Sequence, residues 1–265
     1  MTLSVYVDGI GALGPGFSNW PEAAAVLSGG AAYRAAAAVL PIPAILPAAE
    51  RRRTGRVVKL ALAVALEAAT QAKADPVKLA SVFSSSGGDG HNCHEICQAL
   101  TLAGREISPT RFANSVHNAA AGYWSIATGA VAESNVLCAF DASFTAGLLE
   151  ALTQVAVDRG PVLLVAYDTE YPQPLHAKRP IPDAFGVALV LAAERSPASL
   201  ARLEADLTTD EHVTLTDPLL EALRRAIPAA RCLPLLAALA ARIPSETVLE
   251  YLDVSRMHVR IQPCG

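Results

Sequence analysis

The chain has 265 residues, 52% of them hydrophobic and 17% charged, with a formal net charge of −4. That length suits one large domain or two small ones sharing a core, and the apolar content excludes a disordered chain. The acidic balance argues against a nucleic-acid binder, no apolar run reaches a membrane span, and the start does not read as a signal peptide; a soluble, cytoplasmic protein is expected.

In chain order, LSVYVDGIGALGPG (residues 3–16) alternates as a strand and ends in a glycine turn. NWPEAAAVLSGG is a short helix capped by Ser18 or Asn19, and residues 31–49, broken by prolines, are an irregular connector. The basic run ERRRTGR reads as a solvated helix start, and the pattern through residue 72 is apolar nearly all round, as in a helix buried on most faces. KLASVFSSSGGDG is a strand whose small residues permit close approach by a backbone or ligand. A helix closed by Gly104 follows, then a helix of small residues from Asn118. A βαβ unit comes next: strand 135–140, helix 144–158, a Gly160-Pro161 turn and strand 162–167. Residues 185–194 and 200–207 read as paired strands, followed by two helices and a last strand in TVLEYLDVSRMHVRI.

Strands alternating with helices predict an α/β fold with a mostly parallel mixed sheet covered by helices, its ligand sites at the carboxyl ends of strands. Both the Ser84–Gly90 turn and the bend at residues 141–144 fall there. The cysteines, at 93, 97, 138, 232 and 264, are odd in number and form no disulfide framework. The His91, Cys93, His94, Cys97 cluster lacks the second ligand pair of a zinc site, so no metal is assigned. Nothing in the sequence implies a cofactor.

Five segments in order resemble the N-terminal half of β-ketoacyl synthases, condensing enzymes of the thiolase superfamily. They are VYVDGIGALGPGFSNWPEAAAVLSGG, RRRTGRVVKLALAVALEAA, SSSGGDG, SPTRFANSVHNAAAGYWSIATG and RPIPDAFGVALVLAAE. The resemblance implies a thiolase-like half fold. It assigns residues 1–200 to a ketosynthase N-terminal-like domain. Residues 201–265 become an extension packed on the same domain, unlike the usual C-terminal half.

The family's nucleophilic cysteine stands in a Thr-Ala-Cys-x-Ser-Gly pattern at a helix start. Placing that glycine on Gly147 in DASFTAG puts Phe144 at the nucleophile position, and the two family histidines have no counterparts among His176, His212 and His258. A thiolate takes up the acyl group and histidines stabilise the developing charge; a benzyl group does neither. The resemblance therefore implies a non-catalytic partner protein for bacterial fatty-acid or polyketide synthesis, of aryl polyene type. It implies a homodimer, or a heterodimer with a ketosynthase, through the 118–129 helix and the 135–140 strand, with an acyl-carrier protein as a further partner. An alternative reading is an acyl hydrolase or acyltransferase using Ser143, or a serine of the 84–86 run, with His117 as base. A third is a structural dimer whose pocket Phe144 plugs. Phe144, Asn118, Ser86 and Gly87 are the residues expected to line a pocket. Asp141 reads as a helix cap or dipole partner, and Asp183 as a partner of Arg179 or a backbone donor.

Overall fold

The computed structural model describes residues 2–265. Its strands are β1 (Leu3–Leu13), β2 (Ala80–Ser84), β3 (Ser134–Leu137), β4 (Val162–Asp168), β5 (Phe185–Ala192), β6 (Ala201–Thr208), β7 (Ser245–Glu250) and β8 (Arg256–Pro263). They form one sheet in the order β3-β2-β4-β5-β1-β6-β8-β7. The helices are α1 (Trp20–Leu27), α2 (Ala48–Arg51), α3 (Arg56–Ala72), α4 (Gly90–Thr101), α5 (Pro109–Ala113), α6 (Ala119–Thr128), α7 (Ser143–Asp158), α8 (Leu175–Lys178), α9 (Pro218–Ala226) and α10 (Leu233–Ala241).

The central strands β4 and β5 are continuous apolar runs, buried along nearly their whole length, as strands covered on both faces must be. On one face α3 and α6 pack with Phe83, Val165, Tyr167 and Trp124. On the other, α1, α7, α10 and the turn at Pro228–Cys232 pack with Phe144, Leu148, Leu164, Leu189 and Ile227. Helix α3 lies close on β1 because Gly9 and Gly11 carry no Cβ; one at Gly11 would meet the Val64 carbonyl oxygen. The same helix serves β1 where β6 no longer pairs with it. Gln71 accepts from the Ile10 amide at 2.7 Å, and Glu67 accepts from the Ala12 and Trp20 amides at 3.0 and 2.7 Å. Those donors would otherwise be unpaired.

The mixed α/β sheet matches the expectation, but its parallel part is smaller than predicted. Among the described strands only β2 pairs in parallel, with β3 and β4; the other five pairings are antiparallel. The physical reason is connectivity: helical crossovers link β2, β3 and β4, whereas β5, β6 and β8 return antiparallel to their neighbours, only β7 and β8 being joined as a hairpin. Residues 185–194 and 200–207 do not pair with each other. They run in the same direction on opposite sides of β1, with Val7 facing Leu191 on one side and Ala201 on the other. The crossing is clamped where β1 bulges: Ser196 and Ser199 hydroxyls donate to Asp8 at 2.9 and 2.6 Å.

The expected last strand is a hairpin, β7 and β8, turning through Asp253 at φ 45°. Residues beyond 200 add β6, β8 and β7 to the same sheet. Asn19 is the side-chain cap of α1, accepting from the Glu22 amide at 2.9 Å. The Gly11→Ala variant is expected to lose about 1–3 kcal/mol, since α3 must shift off the strand. Urea unfolding checks it, and an unchanged midpoint would show that the helix has room to spare.

Candidate functional site

Strand β3 ends at Leu137, a single turn covers Phe140–Ala142, and α7 begins at Ser143. The bend is therefore tighter and earlier than the sequence suggests. Its strained residue is Phe140, at φ 52°, a left-handed conformation that a bulky side chain rarely adopts. Its ring is 61% exposed and stacks under the Arg179 guanidinium, 3.8 Å from the ring centroid, an attraction of about 0.5–1 kcal/mol at an exposed site. Phe144, placed at the nucleophile position by the sequence pattern, sits one turn on and is fully buried among core residues. It is a core residue, and the aromatic ring at the tip belongs to Phe140. The cause of the mismatch is Gly147, on which the pattern was set. A Cβ there would come within 2.8 Å of Ser84 Oγ and 2.9 Å of Leu164 Cδ1, so this glycine serves helix–sheet packing.

Ser143 is unsuited to nucleophilic work. It is buried, its hydroxyl donates to the Phe140 carbonyl at 2.7 Å and accepts from the Ala139 amide at 3.0 Å, and so it clamps the bend. His117 does not reach it: no hydrogen bond joins them, and the imidazole packs over Gly88, lining a small void with Gly55 and Asp89. The serine–histidine pair of the hydrolase reading is not assembled. Cys138 is exposed, and its thiol hydrogen-bonds the Ser86 carbonyl at 3.3 Å.

The small residues of the 84–90 turn admit a side chain of the protein itself. Tyr171 lies across Gly87 and Gly90, so closely that a Cβ at either would collide with its ring or hydroxyl. Ser86 is buried beneath this contact, and Gly87 stays exposed. Beneath them is Asp168, at the end of β4 and wholly buried. One carboxylate oxygen accepts from the Ser86 amide (2.9 Å), the Ser86 hydroxyl (2.7 Å) and the Ser85 hydroxyl (3.3 Å), and the other from the Ala229 amide (2.9 Å). Burial pushes its pKa up to about 6, against the pull of those donors. The carboxylate ties the serine turn to the Pro228–Cys232 turn.

Around the bend runs a chain of alternating charges. Asp141 accepts from Arg179 at 2.6 Å and from Arg231 at 3.0 Å. Arg231 also reaches Glu250 at 2.6 Å, Glu250 engages Arg224 at 2.7 Å, and Arg224 engages Glu221 at 2.7 Å. Burial raises the Glu250 pKa, but Arg231, Arg224 and His212 outweigh it and hold the carboxyl low. The Arg224 hydrogen bonds likewise hold Glu221 down, to about 2. The Thr145 hydroxyl in the first turn of α7 donates to the Glu250 carbonyl at 2.7 Å. Asp141 is thus an ion-pair partner, and α7 has no side-chain cap. Asp183 pairs with Arg56 and with the Ala38 and Ala184 amides, while Arg179 goes to Asp141.

Two surfaces lie away from the bend. A cleft of about 730 Å³ is lined by Arg52, Arg53, Arg56, Lys59 and Arg111, against Asp89 and Glu170. Asn118 lines a groove of about 430 Å³ between α5 and α6, and so is separate from the bend. Among the described residues no group of three or more His, Cys, Asp or Glu side chains is arranged to hold a metal ion. No described helix is long and apolar enough to cross a membrane.

Comparison with known proteins places these features in context. The model of a family described as beta-ketoacyl synthase, N-terminal domain, matches residues 19–237. The chain is similar in structure to a chain of the ketosynthase (ApeO) in complex with its chain length factor (ApeC) from Xenorhabdus doucetiae. The TM-score is 0.74 and the identity 25%, over 97% of this chain and 99% of that one. It is also similar in fold to the ishigamide ketosynthase/chain length factor, with TM-score 0.73 and 14% identity over 99% and 100% of the two chains. A third likeness is to AntDE:AntF, a type II PKS acyl-carrier protein in complex with its ketosynthase bound to the hexaketide. There the TM-score is 0.74 and the identity 12%, over 100% of both chains. No curated protein matches the sequence.

The two phenylalanines are separable by stability. Phe144→Ala is expected to cost about 3–5 kcal/mol as a core truncation, and Phe140→Ala less than about 1 kcal/mol, since it loses mainly the cation–π contact; denaturant titration of both variants checks the order. Asp168 gives a pH test. A carboxyl whose folded pKa is raised from 3.8 to about 6 favours the folded state below that window and penalises it above. Relative to Asp168→Asn, the native chain should therefore gain about 2–3 kcal/mol as pH falls from 7 to 4; parallel pH profiles would contradict this.

Proposed function

The chain belongs to the beta-ketoacyl synthase family, by its N-terminal domain, and has the thiolase-like α/β fold; from that premise we propose that it is a non-catalytic partner subunit of a complete ketosynthase. The observation that carries the reading is the bend itself. Acyl transfer in this chemistry needs a thiolate at a strand-to-helix turn, and the residue in the strained conformation there is Phe140. Neither its benzyl group nor the committed hydroxyl of Ser143 can accept an acyl chain. The charge chain around Asp141 surrounds the bend with guanidiniums and carboxylates that already form ion pairs with one another.

Pairing with a ketosynthase is supported by the likeness to a chain of a ketosynthase–chain length factor complex and by the surface. Strand β3 is an open sheet edge, with Ser134 and Asn135 exposed, and an edge of that kind is a template for pairing with another chain. Helix α6, packed on α3 and β2, presents Gly122 and Ile126 to its groove. A heterodimer through β3 and α6 is the arrangement we favour over a homodimer. The cationic cleft at Arg52, Arg53, Arg56, Lys59 and Arg111 suits an acidic acyl-carrier protein. The process served is fatty-acid or polyketide assembly, of aryl polyene type, in the cytoplasm.

Co-expression of the tagged chain with each ketosynthase encoded in the same genome tests the reading. The expected result is a stable 1:1 complex with one of them, condensing activity in the complex and none in the chain alone. Failure of every ketosynthase to co-purify, or condensation by the isolated chain, would overturn it.

A further inference from the structure

Helix α4 carries two thiols on consecutive turns. Cys93 and Cys97 are four residues apart, so they stand on the same side of the helix with Cβ atoms about 5–6 Å from each other. Both are exposed, and the two thiols are in hydrogen-bond contact. Cys138, Cys232 and Cys264 lie outside this helix. The charged neighbours of the pair have partners of their own. His91 faces Glu95 at 3.7 Å, Glu95 reaches Arg111 at 3.2 Å, and the Asp89 carboxylate accepts from the Asn92 amide at 2.9 Å. Among the described residues no third His, Cys, Asp or Glu side chain is arranged to hold an ion together with the two sulfurs. The helix itself is lightly held: of its 12 residues only Gly90 and Asn92 are buried, and a helix of that length is marginal in water on its own.

Two sulfurs so placed can be bridged in two ways, and length decides between them. A disulfide needs Cβ atoms about 3.5–4.5 Å apart, so forming one would pull this turn of helix out of shape. An ion bonded to both sulfurs at about 2.3 Å each spans roughly 4–5 Å between them, which the helical spacing accepts as it stands. The donor set also selects the ion. Zinc takes four ligands in a tetrahedral array, and calcium and magnesium take oxygen; the pair offers neither. A soft monovalent cation is satisfied by two thiolates. We propose that Cys93 and Cys97 form a two-sulfur site for a soft monovalent cation of the copper(I) class. Binding forms two metal–sulfur bonds, releases the two thiol protons to solvent and changes no oxidation state. The bound ion staples consecutive turns of α4, adding a constraint to a helix that its own chain packs on few residues. The site needs no second subunit.

Anaerobic titration of the reduced chain with copper(I) held by the chromophoric chelator bicinchoninate tests this. The expected result is transfer of one copper(I) per chain from the chelator to the protein. Cys93→Ser and Cys97→Ser should each weaken uptake by about tenfold or more. The melting temperature of the metal-free variants should not change, because both side chains are exposed. Cys138→Ser should bind as the native chain does. Loading should also slow amide exchange over α4 in the native chain and leave it unaltered in Cys97→Ser. No uptake against the chelator, full uptake by both serine variants of the pair, loss of uptake in Cys138→Ser, or unchanged α4 exchange on loading would each overturn the proposal. Zinc taken up in preference to copper(I) would overturn it as well.

Discussion

Two guanidiniums on one carboxylate hold this structure's functional end in place. Asp141, in the turn before α7, is shared by Arg179 from the loop before β5 and Arg231 from the turn before α10. Exposed pairs of this kind are worth little one at a time. Here they are links in a chain that ends on Arg224, a guanidinium with its side chain only 4% exposed and engaged by both Glu221 and Glu250. A charge so buried needs compensation, and two carboxylates supply it here. The chain binds segments far apart in sequence to the bend, and with Asp168 it fixes the position of the Pro228–Cys232 turn over the strand ends.

That arrangement inverts the usual use of a strand-to-helix bend. A sharp turn of this type exposes one side chain, and in an acyl-transfer enzyme the strain is spent on presenting a nucleophile. Here the strained residue is Phe140, and Arg179 stacks on one face of its exposed ring. The segments packed around it supply charges already paired with one another. On the partner-subunit reading proposed above, the bend keeps the geometry of a site while its strained position carries a benzyl group.

Much of the frame was legible in the sequence. The patterns at 162–167 and 185–194 place strands close to the bounds of β4 and β5, and Asn19 is one of the two residues the sequence offers as the cap of α1. The order of strands was not legible, because the passage of residues 193–200 across the end of β1 depends on Asp8 meeting two serines about 190 positions away. The bend lies about one residue earlier than the sequence suggests, and its strained residue, Phe140, stands four before Phe144, for a related reason. A left-handed φ usually announces itself through glycine or asparagine, and at Phe140 it does not. Gly147 is needed for contact with Ser84 and Leu164, and it imitated the glycine of the family's pattern. The ion chain joins residues 141, 179, 231 and 250, a juxtaposition that no local pattern records.

The central claim is that the bend presents no activated nucleophile to an acyl group, the exposed Cys138 thiol included. Intact-mass spectrometry of the purified chain after incubation with a medium-chain acyl thioester, followed by peptide mapping, addresses it directly. Acylation over residues 138–144 no faster than that of free thiol in solution is the predicted result. One acyl group on Cys138 or Ser143, formed at a rate above that of free thiol in solution, would contradict it.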